Sequence, residues 1–149
     1  MIHFRASRKS GVDGRLLKKT ARTLLQAVGE ESSALSLSLI SDREMRELNR
    51  AHRGQDKATD VLSFPLATVG DPIHSAPHER LLGDVVISVE TARRQAGDYD
   101  APLQDEIHRL LIHGILHVLG HDHEEARDRA RMETEERRLA GVIGMRWPY

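Results

Sequence analysis

The sequence predicts an α+β (mixed α/β) fold: one domain over residues 1–149, with about four strands in a mixed sheet and helices packed on it. Three observations carry that expectation. Residues 34–41, ALSLSLIS, alternate Leu with Ser, the period-two pattern of a strand with one buried face. Residues 15–28 instead repeat Leu16, Leu17, Leu24, Leu25 and Val28 at helical spacing, with Arg15, Lys18, Lys19 and Arg22 on the other side. Strand-like and helix-like stretches then intermix without strict alternation over 149 residues, a length that supports one hydrophobic core.

The elements follow in order. Ile2–Arg5 reads as a short strand, and Gly11–Gly14 as a turn in which Asp13 can cap the next helix. After the Ala34–Ser41 strand, Ser41 or Asp42 caps a helix through about Arg50, with Met45 and Leu48 inward. Val61–Leu66 is a third strand, closed by Pro65. Residues 67–80 carry Gly70, Pro72 and Pro77 and read as a long loop. Leu81–Ser88 resumes as a strand. No helical pattern joins it to the third strand, so the two should pair antiparallel. Val89–Tyr99 reads as a helix. Pro102 suits the first turn of another, which runs to Leu119 and is stopped by Gly120. Glu124 to about Ala140 is a highly charged helix.

Composition narrows the chemistry. The chain is 39% hydrophobic and 30% charged with a formal net charge of −1, which neither requires nor excludes a nucleic-acid partner. It has no cysteine, so any metal site must be built from His, Asp or Glu. No apolar run approaches the ~20 residues that span a membrane. The stretch MIHFRASRKSGVDGR lacks the apolar core of a signal peptide. The expectation is a soluble, cytoplasmic protein with no membrane partner.

The sharpest feature is HGILHVLGHDH, residues 113–123. From Leu110 onward the helix is apolar except at His113, Gly114 and His117, the pattern of a buried helix. Histidines four apart share one face. Two close, enclosed imidazoles discourage each other's protonation, and a divalent cation binding the neutral rings removes that conflict. Gly120 lets the chain reverse, so His123 can fold back toward the pair. Three nitrogens at about 2.0–2.1 Å make three corners of a zinc tetrahedron, and a water in the fourth marks a catalytic site. Nickel, cobalt or copper would also be accepted. His3, His52, His74, His78 and His108 are isolated and read as surface or core residues, and His121 points away from the ligand side.

The spacing H-x-x-x-H-x-x-G-x-x-H is that of the metzincin proteases, whose general base is a Glu directly after the first His. Gly114 stands there instead, which argues against peptide hydrolysis. A second constellation, LNRAHRGQDKATDVLSFP, sets Arg50, Arg53 and Lys57 just before a buried strand, and arginine suits a phosphate oxyanion. Asp84 is a candidate auxiliary, with a strand-end hydrogen-bond acceptor as its plainer role. A basic set, Arg5, Arg8, Lys9, Arg15, Lys18, Lys19 and Arg22, joined to Arg50 and Arg53, offers a track for single-stranded RNA.

HGILHVLGHDH, TDVLSFP and LGDVVIS, in that order and at these distances, resemble the YbeY family of bacterial single-strand-specific endoribonucleases and rRNA maturation factors. The resemblance covers nearly the whole chain. It implies one Zn2+ on His113, His117 and His123, and a functional arginine in the segment before TDVLSFP, which Arg53 matches. The family often has tyrosine where His121 stands. It further implies activity at the 3′ end of 16S rRNA and in ribosome quality control. The partners implied are rRNA, a small-subunit ribosomal protein and an assembly GTPase. Two other readings stay open. One is a zinc protease taking its base from Glu106 or Glu124, and the other a ribosome-assembly factor whose structural metal is closed by Asp122.

Overall fold

A computed structural model of the chain describes residues 1–6, 10–66, 80–121 and 124–147. The described residues form β1 (Ile2–Ala6), α1 (Gly14–Ala27), β2 (Ala34–Ile40), α2 (Asp42–Arg53), β3 (Val61–Pro65), β4 (Leu81–Ser88), α3 (Val89–Asp98), α4 (Leu103–Val118) and α5 (Ala126–Val142). The expected long loop at 67–80 lies, Arg80 apart, outside the described residues.

One mixed sheet runs in the order β1-β2-β4-β3. β1 and β2 are parallel, as the crossover through α1 requires, and β2 is parallel to β4. β3 pairs antiparallel with β4, as expected from the link between them, and forms the far edge. In β2 the Leu–Ser alternation sorts as predicted. Leu35, Leu37 and Leu39 join the main core, whereas Ser36 and Ser38 lie half-exposed on the opposite face.

That main core lies between the sheet and α1, α4 and α5, with Val89 and Ala92 of α3 alongside. Each fully enclosed Leu or Ile there contributes about 1.5–3 kcal/mol of burial free energy. A smaller cluster on the other face joins Met45 of α2 to Ile40, Leu62 and Val86. The register of β2 on β4 slips between Ala34–Leu81 and Ser36–Asp84, at Gly83. A Cβ on Gly83 would overlap the Phe64 carbonyl oxygen, so only glycine lets β3 approach here. Beyond the irregularity Val85 and Ile87 face the main core, and Val86 faces α2.

The helix boundaries hold with two corrections. Asp13 caps α1 as expected, accepting from the Leu16 N–H at 3.0 Å, and Ser41 caps α2. α2, however, continues three residues past Arg50, because Gly54 in the left-handed conformation (φ 67°) is its true stop. Arg53 is thus the last helical residue rather than part of a loop. Pro102 sits at the N-cap of α4, one position before the first turn.

Candidate active site

α4 carries the site. From Glu106 to Val118 every residue is buried except Arg109, His113 and His117. These stand at i, i+4 and i+8, so they form one stripe along a helix otherwise sealed in hydrocarbon. The two imidazoles are therefore half-buried rather than enclosed, with the His113 side chain 27% exposed. Their rings meet nearly edge-on, with centroids 4.6 Å apart and planes at 70°. Their Nε2 atoms face each other at 3.1 Å, so at most one of the two carries hydrogen there. Two nitrogen ligands of a tetrahedral zinc stand about 3.3 Å apart, so the pair suits a shared cation in place of that proton. Glu136 of α5, with its side chain 11% exposed, holds Oε1 3.8 Å from His113 Nδ1. A carboxylate on that side favours the tautomer that leaves Nε2 to a ligand.

His123, the expected third ligand, and Asp122 lie outside the described residues. Among the described residues no third imidazole or carboxylate completes the coordination set.

A cavity of about 410 Å³ opens over the pair, lined by His113, His117, Arg53, Thr59, Asp60, Val61, Ser63 and Pro65. Such a volume is in the usual range of ligand clefts. Of the three cations weighed before the strand, Arg53 lines it. Arg50 instead lines a shallow surface recess with Arg46 and Asp56. Arg53 reaches the cavity from the C-terminus of α2, across the β3 edge from the histidine helix.

Gly114 explains what the motif omits. A Cβ there would stand 2.6 and 3.1 Å from the two Val85 methyl carbons and 3.3 Å from Ser63 Oγ. The Gly114 carbonyl accepts the Ser63 hydroxyl at 3.2 Å, seating α4 directly on β3 and β4. There is no room for a glutamate at that position. Glu106, the alternative base, is buried and gripped by the Arg109 Nε, and it is absent from the cavity wall. Glu124 is exposed and likewise does not line the cavity. Asp84 also stands apart, alternating with Val85 onto the α2 face of the sheet, opposite α4.

Among the described residues, the other histidines remain outside the site. Burial pushes the buried His108 below the ordinary imidazole range despite Asp105 and Asp13, and its Nε2 lies 3.0 Å from Gln104 Nε2. His52 meets Phe64 with centroids 5.1 Å apart and planes tilted at 60°, and His3 is exposed. His74 and His78 lie outside the described residues. Among the described residues the members of the expected basic track stand on opposite faces of the sheet. α1 packs by β1 on the α4 face of the sheet, whereas Arg50 and Arg53 belong to α2 on the opposite face, Arg53 at the β3 edge, and Arg8 and Lys9 are outside the described residues.

Sequence reading missed three neighbours of the site: Asp60, Arg109 and Glu136. Each left a signal. Asp60 is inside TDVLSFP, and Arg109 extends the histidine spacing one step back. Glu136 interrupts an apolar helical stripe of Met132, Leu139 and Ala140.

Comparison with known proteins gives the family and the fold. A family model described as Endoribonuclease YbeY matches residues 2–144. The Endoribonuclease YbeY of Myxococcus xanthus (strain DK1622) is 52% identical over 131 residues, covering 88% of this chain but 44% of that protein. The one from Anaeromyxobacter sp. (strain Fw109-5) is 47% identical, covering 87% of this chain and 66% of its own length. That of Moorella thermoacetica is 43% identical over 138 residues, with 88% of each chain covered. The solution structure of TM1509 from Thermotoga maritima superposes with a TM-score of 0.66 at 28% identity, covering 97% of this chain and 90% of that one. With matches that run from the first strand to the end of the last helix, the chain belongs to the Endoribonuclease YbeY family.

Proposed function

We propose that the chain is a metal-dependent, single-strand-specific endoribonuclease of the cytoplasm. Its substrate is rRNA, at the 3′ end of 16S rRNA, with a role in ribosome quality control. The partners proposed with it are a small-subunit ribosomal protein and an assembly GTPase. The observation that supports the reading most is the meeting of Arg53 with His113 and His117 around one cavity, from two separate helices.

In this reading His113, His117 and His123 hold one Zn2+. Bound there, zinc supplies Lewis acidity toward a phosphate oxygen and a water of lowered pKa. Arg53 orients the phosphodiester through its paired N–H donors and offsets the charge that builds on phosphorus. Glu136, with Oε1 3.8 Å from His113 Nδ1, helps to orient that ring with Nε2 toward the cavity. The packing at Gly114 disfavours the protease alternative, since the position that would bear the general base has no room for a side chain.

Two variants test it. His117→Ala is expected to lose both bound zinc and cleavage of a single-stranded RNA. Arg53→Ala should retain stoichiometric zinc and lose cleavage by about a hundredfold or more, as removal of one transition-state donor does. Normal cleavage by Arg53→Ala, or by metal-free protein, would overturn the assignment.

A further inference from the structure

Arg53 and the two histidines belong to helices on opposite faces of the sheet, so something must hold them in register. Loop 54–60, which returns from Arg53 to β3, is clamped to α2 at its near end. The Gln55 N–H donates to the Asn49 carbonyl at 3.3 Å, and Asn49 Nδ2 donates to the Lys57 carbonyl at 2.8 Å. Arg46 donates twice to Asp56, at 2.7 and 3.0 Å. The far end is Asp60, which lines the cavity. Its Oδ1 accepts the Val61 N–H at 2.8 Å, and its carbonyl accepts the Ser88 N–H at 2.9 Å. Its Oδ2 accepts Gln95 Nε2 at 3.3 Å and stands 4.0 Å from Arg109 Nη2.

Arg109 is one turn before His113 on the same stripe. Its side chain is 16% exposed, and its Nε grips Glu106, whose side chain is fully buried. A carboxylate–guanidinium–carboxylate line thus joins the loop to the interior of α4. Glu106 neutralises the guanidinium, and Arg109 does not line the cavity, so its contribution is geometry rather than charge offered to a phosphate. Gln95 points its amide donor at Asp60 and leaves its own Oε1 buried without a partner among the described residues. The demand of Asp60 for donors outranks the pairing of that amide.

We infer that Asp60 and Arg109 are positioning residues. They key the loop that follows Arg53 to the histidine-bearing helix, and so fix the distance between the guanidinium at the end of α2 and the metal ligands. The inference rests on the reading of the cavity as an RNA-cleaving site.

A double-mutant cycle tests it, with Glu106→Gln accompanying Arg109→Met so that no carboxylate is left buried alone. The zinc-loaded proteins are assayed on a single-stranded RNA oligonucleotide. The Glu106→Gln/Arg109→Met change should lower kcat about tenfold in the wild-type background and less than about twofold in an Arg53→Ala background, with KM and zinc content unchanged. Amide hydrogen exchange at Val61, whose N–H the Asp60 carboxylate accepts, should become about tenfold faster. Equal losses in both backgrounds, or unchanged Val61 exchange, would overturn the positioning role. Should that protein fail to fold, Asp60→Asn, equal in size, runs the same cycle. A wild-type protein that cleaves no RNA would instead defeat the functional reading, and Val61 exchange would still decide whether Arg109 holds the loop.

Discussion

At the scale of one residue, Gly114 joins packing to chemistry. Val85, whose methyls close over it, is fully buried and β-branched, so it has little freedom to yield. Alanine at position 114 gains about 1 kcal/mol of helix propensity but meets an overpacking penalty of about 1–3 kcal/mol. Gly114→Ala is therefore expected to be destabilised by up to about 2 kcal/mol in urea unfolding, and Val85→Ala should restore part of the loss. A Gly114→Ala protein more stable than wild type would show that the contact does not bind. The missing glutamate was legible in the sequence, but its reason was not, since the helix–sheet distance is a tertiary quantity. His113 and His117 were legible because helical spacing alone puts them on one face. The choice of Arg53 among three nearby cations came from the family resemblance and not from spacing, because spacing does not tell which side chain rounds the end of a helix.

At the scale of the element, α2 shows how one helix is held at both ends. Its first residue, Asp42, accepts the Ser88 hydroxyl at 2.5 Å and the Thr91 hydroxyl at 2.6 Å, and meets Arg94 at 3.0 Å. Burial works to raise the Asp42 carboxyl, but the Ser88 and Thr91 hydroxyls and the Arg94 guanidinium outweigh it and hold it below its ordinary value of 3.8. The stability this contributes is present above the unfolded pKa and is lost as pH falls through the lower folded one. Asp42→Ala leaves the fully buried Ser88 hydroxyl without its acceptor, and should cost about 2 kcal/mol at pH 7. The gap between the two urea midpoints should narrow below about pH 4, and a gap independent of pH would exclude the carboxylate as its source. Ser41 as cap was readable from type and position. Gly54 was equally readable as a stop, but the apolar pattern ends at Leu48 and drew the boundary too early.

At the scale of the whole molecule, sheet order decides what can act together. Strand identities, and the antiparallel pairing of β3 with β4, were legible from periodicity and linkage. The order β1-β2-β4-β3 was not, because it depends on which strand edges meet across long separations. That order sets the basic face of α1 roughly three strand spacings, ~14 Å, from the edge where Arg53 lies. Binding of single-stranded RNA at the cavity should therefore involve few phosphate contacts. A plot of log affinity against log salt is expected to slope about −2, as two or three contacts give, and a slope near about −5 would mean that α1 takes part. One last consequence follows from α4. With leucine and isoleucine on every side but one, it can neither rotate nor slide by a residue without trading an imidazole for hydrocarbon. The two imidazoles are thus mounted on a helix whose packing fixes its rotation, so in the proposed reaction any accommodation of an incoming strand must come from what surrounds that helix.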